Sequence, residues 1–438
     1  MKFSRAVYPL IAVLAASTLA LAPSSAGAVS LSSQVALDWN LNAVNAVRAA
    51  RTTAELPPGV ADRGLYQTEG LVYMSYVQAA VYDAAMKISH RYQLYHHFNA
   101  AAGHASLQAA VISASYNTLV HYLGDASGTL AAKYASAIAA LPAGKETNRG
   151  IAVGQAAAAD IEALRAGDGL NAPVSDACPT PTSPPTPGAY LCAPAPSIQT
   201  LQTPWVASMR PFLLRSPSAF RAPAPPALNS ATYLNDQAET RAAVNNSPQH
   251  PDQHATALFW NLNAINQLNQ TLRDVATQHA MDLVDTVRLL AMGEMVPTDA
   301  GIACFDSKYH YLFWRPITAI RAGGDTTWSP LVATPNHPEY PSQHGCVTSA
   351  LAETLAAALG TRNLNVTIQG AVNPTGTVTT SRTYAMVQDI NSELVNARVW
   401  MGFHYRNSVV VGEALGTAAA TWALARNFRP ADDEGGDS

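Results

Sequence analysis

The chain has 438 residues, 48% of them hydrophobic and only 13% charged, about half the usual charged fraction of a globular protein. So much apolar surface excludes disorder for most of the chain, because burying it offsets the entropy of ordering the backbone. With 26 Lys and Arg against 30 Asp and Glu, a net charge of −4, no basic surplus exists to displace counterions from nucleic acid or to hold anionic lipid. Any anion bound here must be gripped by a few placed cations.

In chain order, residues 1–28 read as a secretory signal peptide. Lys2 and Arg5 precede an apolar run from Ala6 to Ala22, and Ala26-Gly27-Ala28 offers a small-x-small cleavage site. The expected location is therefore secreted or periplasmic. Residues 29–168 are Ala-rich and periodic: Tyr73, Val77, Val81, Ala84 and Ile88 share one helical face, with Asp83 and Lys87 off it. This predicts an N-terminal helical bundle. Residues 169–229 are dominated by Pro and Ser, which exclude helix interiors and central strands; they predict either a solvated linker or an arm covering another surface.

Cys178 and Cys192 bracket part of this segment and are expected to pair, closing a loop of about 15 residues worth ~3 kcal/mol in the chain-entropy picture. Cys304 and Cys346 either pair or stay as buried thiols. Residues 230–430 return to helical patterning, interrupted by a Thr-rich polar stretch from Asn365 to Arg382, and the acidic tail 431–438 is expected to fray. No later run is long and apolar enough to span a membrane; the most apolar, Val409 to Ala425, carries Glu413 and two glycines. The predicted fold is all-α: two packed helical bundles with a Pro-rich irregular segment between them.

Three segments of the second bundle concentrate chemistry. In Lys308-Tyr-His-Tyr-Leu-Phe-Trp-Arg315-Pro316, a helical reading puts two cations on one face about 10 Å apart along the axis. Such a pair on an apolar face is costly unless it converges on an anion, although a solvated edge is the ordinary reading. In Tyr340-Pro341-Ser342-Gln343-His344-Gly345, Ser342 and His344 fall at a helix N-terminus, where unpaired N–H groups and the helix dipole attract anions. Ser342 as a plain N-cap competes with that reading. In Arg398-Val-Trp-Met-Gly-Phe-His404, Arg398 offers a planar fork for a tetrahedral oxyanion, and His404 a nitrogen that can attack or coordinate its central atom.

The ordered set Lys-x6-Arg-Pro, Pro-Ser-x-His and Arg-x5-His resembles the signature of the vanadium-dependent haloperoxidases and type 2 phosphatidic-acid phosphatases, over roughly residues 298–424. The resemblance implies a bundle fold of that type, with one vanadate per chain in the second bundle. It implies that Lys308, Arg315 and Arg398 hold equatorial oxygens, that Ser342 and the Gln343 N–H add bonds, that His404 binds vanadium, and that His344 is the general acid–base. Two positions depart from the pattern: Gln343 stands where Gly is usual, and Ser408 stands where an Asp usually orients the histidine ring. Ser408 is expected to accept the same bond without adding charge. His337, seven residues before His344, matches a position where bromoperoxidases of the family resemble one another, and it is read with Trp314 as tuning halide or proton supply; Phe313 is a further candidate for the wall.

The resemblance implies oxidation of a halide, bromide or iodide favoured, by hydrogen peroxide to hypohalous acid. The alternatives are a secreted acid phosphatase acting on soluble phosphomonoesters through a phosphohistidine at His404, which would need no vanadate, and an inactive oxyanion-binding homologue. Neither nucleic acid nor a membrane span is expected, and the Pro-rich arm hints at a homodimer contact.

Overall fold

The computed structural model describes residues 31–50, 67–182, 185–194 and 200–431. The signal peptide expected over 1–28 and all but the first residue of the expected tail lie outside them. Thirteen α-helices, three short 3-10 helices and one two-stranded sheet account for the regular structure of the described residues. None of these helices is long and apolar enough to cross a membrane.

The first bundle comprises α1 (Leu31–Ala49), α2 (Gln67–Ser89), α3 (Leu107–Leu123), α4 (Thr129–Ala139) and α5 (Lys145–Arg165). The one-sided face predicted for α2 is corrected by the structure: the helix is buried from Thr68 to Met86, Asp83 included. A helix that is apolar all round belongs inside a protein, and α2 packs on α3 and α5 of its own bundle and on a helix of the second. Asp83 is tolerated there because its carboxylate accepts backbone N–H bonds from Tyr95 (2.7 Å) and His96 (3.0 Å), while burial pushes its pKa well above the usual carboxylate range.

The second bundle contains α6 (Ala231–Asn245), α7 (Pro251–Phe259), α8 (Ala264–Gln278), α9 (Leu283–Tyr311), α10 (Pro316–Ala322), α11 (Gln343–Leu359), α12 (Val387–Trp400) and α13 (Arg406–Leu424). One large apolar core runs through both bundles, with α9 contributing to it along most of its length, and two small clusters lie apart from it. The Thr-rich interruption is a hairpin, β1 (Asn363–Ala371) paired antiparallel with β2 (Thr379–Met386). Leu364, Val366 and Ile368 alternate inward along β1, a period-two signal short enough to be masked by the surrounding threonines.

Described parts of residues 169–229 pack along the second bundle. The Leu312 carbonyl accepts from Tyr190 N–H (2.8 Å), and Trp314 N–H donates to Gly188 (3.0 Å). Cys178 and Cys192 are disulfide-bonded, whereas Cys304 and Cys346 are buried thiols. The arm is pinned by Asp299 of α9, whose carboxylate accepts the N–H groups of Phe212, Leu213 and Leu214 (2.7, 2.6 and 2.8 Å). Removing that acceptor orphans two buried donors and one half-buried one, each buried donor costing about 1–3 kcal/mol. Asp299→Ala is therefore expected to lower unfolding stability by about 3 kcal/mol or more and to open the arm to proteases; denaturant titration with limited proteolysis checks both.

Two features set up the site. The helix carrying Lys308 ends at Tyr311, and Leu312 takes a left-handed conformation (φ 48°) as its cap. Arg315 is then the N-cap of α10, with Pro316 as its first residue. The expectation of one continuous helix through Lys308 and Arg315 is thus corrected: a reversal between them brings both side chains inward. Separately, α11 and α13 cross at glycines. A Cβ on Gly412 would lie 2.5 Å from the Ser342 carbonyl, and one on Gly416 would lie 2.0 Å from the Cys346 carbonyl. That closeness lays the Ser342–His344 turn against the His404–Ser408 turn, where Ser342 N–H donates to the Ser408 carbonyl (3.0 Å).

Candidate active site

A cavity of about 60 Å³ opens between the bundles, several times the ~10–15 Å³ that one water needs. Arg315, His337, Gln343, His344, Arg398 and His404 line it, together with apolar residues that include Leu71, Trp260, Leu268, Val347, Leu351 and Phe403. Six of the predicted site residues, drawn from segments distant in sequence, therefore share one cavity.

Arg315 is 1% exposed and organises the floor. Its Nε donates to the His337 carbonyl (3.0 Å) and one Nη to the Phe403 carbonyl (3.1 Å), and that same nitrogen lies 3.2 Å from Nε2 of His404. The other Nη lies 3.1 Å from Nδ1 of His337, whose ring packs on Phe305. Arg398 donates to the Trp260 carbonyl (3.0 Å) and lies over the Phe403 ring.

Burial is the main reason that the pKa values of His337, His344 and His404 sit well below the ordinary imidazole value, and the neighbouring cations Lys308 and Arg315 add to it at each. All three rings are consequently neutral at pH 7. An anion entering the cavity offsets the cations and raises these pKa values, so binding takes up protons. Sulfate, which does not titrate near neutrality, is expected to bind about 10-fold more tightly at pH 6 than at pH 8, a shift of ~1.4 kcal/mol; calorimetric titration showing equal affinities would contradict this.

Lys308 is completely buried, and burial pushes its pKa down to about 8. It does not line the cavity: its ammonium donates to the Pro338 and Glu339 carbonyls (2.7 and 2.9 Å), bracing the loop before α11 with two of its three donors. Ser342 occupies the N-cap position of α11 but makes no side-chain cap bond. Its hydroxyl is buried without a hydrogen-bond partner among the described residues, which counts against a plain N-cap. Gln343 lines the cavity, and its side-chain amide donates to the Thr68 hydroxyl of α2, tying the bundles together there.

Three expectations are corrected. Trp314 is buried but does not line the cavity; the tryptophan on its wall is Trp260, at the end of α7. Phe313 instead packs edge-on against Tyr233, Tyr340 and Tyr405, around a smaller cavity behind the site. Ser408 is not bonded to the His404 ring; its hydroxyl lies 3.5 Å from the Glu339 carbonyl. The partner of the ring is Glu339, whose Oε1 is 2.8 Å from Nδ1 of His404 and also accepts the Tyr405 N–H (3.2 Å). Sequence reasoning missed Glu339, although it is an acidic residue in the segment between two candidate histidines. Burial raises its pKa to about 7, against the opposing pull of Lys308 and Arg315.

Ser342, like Lys308, does not line the cavity; the groups that do suit a tetrahedral oxyanion: two guanidinium groups, a helix N-terminus and imidazole nitrogens. Among the described residues no cluster of three or more His, Cys, Asp or Glu is assembled to cage a bare metal ion.

A family profile described as the VCPO second helical-bundle domain matches residues 288–433, the stretch that carries all three motifs. This part of the chain is therefore similar to the second helical bundle of the vanadium chloroperoxidases. The vanadium chloroperoxidase of Curvularia inaequalis is 28% identical over 140 residues, a match covering 25% of this chain and 23% of that protein. The match thus spans about a quarter of the relative's length. The fold is shared with a bacterial vanadium-dependent iodoperoxidase (TM-score 0.74, 19% identity, 92% of this chain and 97% of that one). It is also shared with a bacterial vanadium-dependent chloroperoxidase in its holo form (TM-score 0.66, 19% identity, 82% and 92%).

Proposed function

We propose that this chain is a vanadate-dependent haloperoxidase, oxidising halide with hydrogen peroxide to hypohalous acid. The observation that carries the reading is the convergence of Arg315, Arg398, His344 and the Nε2 of His404 on one cavity. Bound vanadate supplies a Lewis-acid centre that activates peroxide toward halide without changing its own oxidation state.

The chain's residues supply the rest. Arg315 and Arg398 hold the negative oxygens from fixed positions, which requires no reorganisation when charge shifts. Ser342 ties the start of α11 to the His404–Ser408 turn through its N–H, and Lys308 holds the loop before α11. His344, neutral before the anion arrives, takes up and returns a proton at the oxygen nearest it. His404 presents Nε2 toward the anion because its other nitrogen is engaged by Glu339. The wall built by Leu71, Trp260, Leu268 and Phe403 limits water around these groups, which strengthens each charge interaction.

His337 beside Arg315 supports bromide or iodide as the substrate, since the resemblance places histidine there in bromoperoxidases; the iodoperoxidase fold neighbour agrees with this. His337→Phe is expected to cut bromide turnover by about 10-fold with little change in vanadate affinity, and halide-dependent steady-state kinetics check it.

The acid-phosphatase reading draws on the same histidine–carboxylate pair, which would equally suit a phosphohistidine nucleophile. Bromination of a diketone dye by purified protein given vanadate and peroxide, run beside a phosphate-ester assay without vanadate, separates the two. Vanadate-dependent bromination supports the haloperoxidase; ester cleavage inhibited by vanadate replaces it with the phosphatase; neither activity leaves an oxyanion-binding homologue.

A further inference from the structure

We infer that Glu339 is the positioning residue that fixes the ring of His404, supplying from the loop before α11 the carboxylate that the motif pattern places in an Asp at position 408. The inference rests on the oxyanion-site reading above, and it names the group that determines which ring nitrogen faces the anion.

Three observations carry it. Oε1 of Glu339 sits 2.8 Å from Nδ1 of His404, with the carboxylate completely buried and the imidazole nearly so. Oε1 also accepts the Tyr405 N–H; as an ionised carboxylate it accepts from both neighbours, which places the hydrogen of the ring on Nδ1. Nε2 is then a lone pair, which agrees with the Arg315 Nη held 3.2 Å from it. The side chain at position 408 does not orient the ring, because Ser408 lies against the same glutamate and its hydroxyl contacts the Glu339 backbone carbonyl.

The loop that carries Glu339 is itself held in place. Lys308 bonds the Pro338 and Glu339 carbonyls, Arg315 bonds the His337 carbonyl, and Glu339 N–H donates to Phe313 (3.0 Å). The carboxylate therefore meets the ring from a braced backbone. This also reverses an expectation drawn from the motif alone. Adding Asp at position 408 to the native chain supplies no missing charge; it sets a second carboxylate beside the first in a buried site.

The test uses the full chain with its histidines labelled with ¹⁵N, the His404 signal being assigned by its loss in His404→Ala. Two quantities are read: the ring tautomer by NMR, and affinity for orthovanadate by calorimetry. In Glu339→Leu the hydrogen is expected to leave Nδ1 in a substantial fraction of molecules, and vanadate affinity to fall by about 10–100-fold. In Glu339→Leu/Ser408→Asp, both readouts are expected to return toward the native values.

Glu339→Gln keeps the shape and one acceptor oxygen without the charge. It is expected to retain the Nδ1–H tautomer with vanadate affinity reduced by roughly 10-fold; unchanged affinity in this variant would overturn the inference even if the leucine variant fails to fold. A folded Glu339→Leu variant with native tautomer and native affinity would overturn it as well, as would a loss of thermal stability alone. The tautomer is measured on the protein without vanadate, so it answers for Glu339 whether or not the chain proves to be a haloperoxidase. Absence of bromination beside a glutamate-dependent tautomer would remove the functional reading and leave the positioning role.

Discussion

His404→Ala is expected to reduce vanadate-dependent bromination to background, a loss of at least ~10³-fold. The ring is the histidine on the cavity wall that has one nitrogen on a carboxylate and the other beside a guanidinium, Glu339 at 2.8 Å and Arg315 at 3.2 Å. Its removal takes away the nitrogen offered to the anion and leaves the Glu339 carboxylate buried without that donor, a further cost of about 1–3 kcal/mol in stability. Steady-state bromination and orthovanadate titration on folded protein check the two parts. Turnover above about a tenth of the native rate would remove His404 from the role assigned to it.

Arg315→Lys has the second-largest expected effect, about 10²-fold or more in turnover. The substitution keeps the charge and loses the geometry. Arg315 serves the His337 and Phe403 carbonyls, His404 Nε2 and the His337 ring from one planar fork. A lysine ammonium is a point donor on a flexible stem and cannot reach these partners together. Two carbonyls in a buried site then lose their donors, so a measurable fall in melting temperature is expected alongside the lost activity. Kinetics with calorimetric unfolding check this; a lysine variant with native kinetics would show that charge alone suffices at position 315.

The sequence signals that held were those set by local chemistry. Alanine-rich periodicity marked helices, and the cysteine spacing across the Pro-rich segment matched a disulfide. Lys308, Arg315, Ser342, His344, Arg398 and His404 carried their signal as ordered motifs, and the cavity brings most of them together.

What could not be read depended on long-range packing. The reversal at Leu312 comes from a residue with no turn propensity of its own, so Lys308 and Arg315 looked like one helical face. The burial of Asp83 follows from α2 lying between two bundles, which its own spacing cannot report. Glu339 reaches a histidine 65 residues away, and Trp260 reaches the same cavity from α7. Such pairings are fixed by the close crossing of α11 and α13, where Gly412 and Gly416 leave room for backbone against backbone. In the sequence those two glycines were simply interruptions in an apolar helix.

The most direct measurement is anomalous diffraction from crystals soaked in orthovanadate. One vanadium peak per chain is predicted in the cavity between Arg315, Arg398 and Nε2 of His404. No peak there at saturating vanadate, or a peak held by other residues, would contradict the proposed oxyanion site.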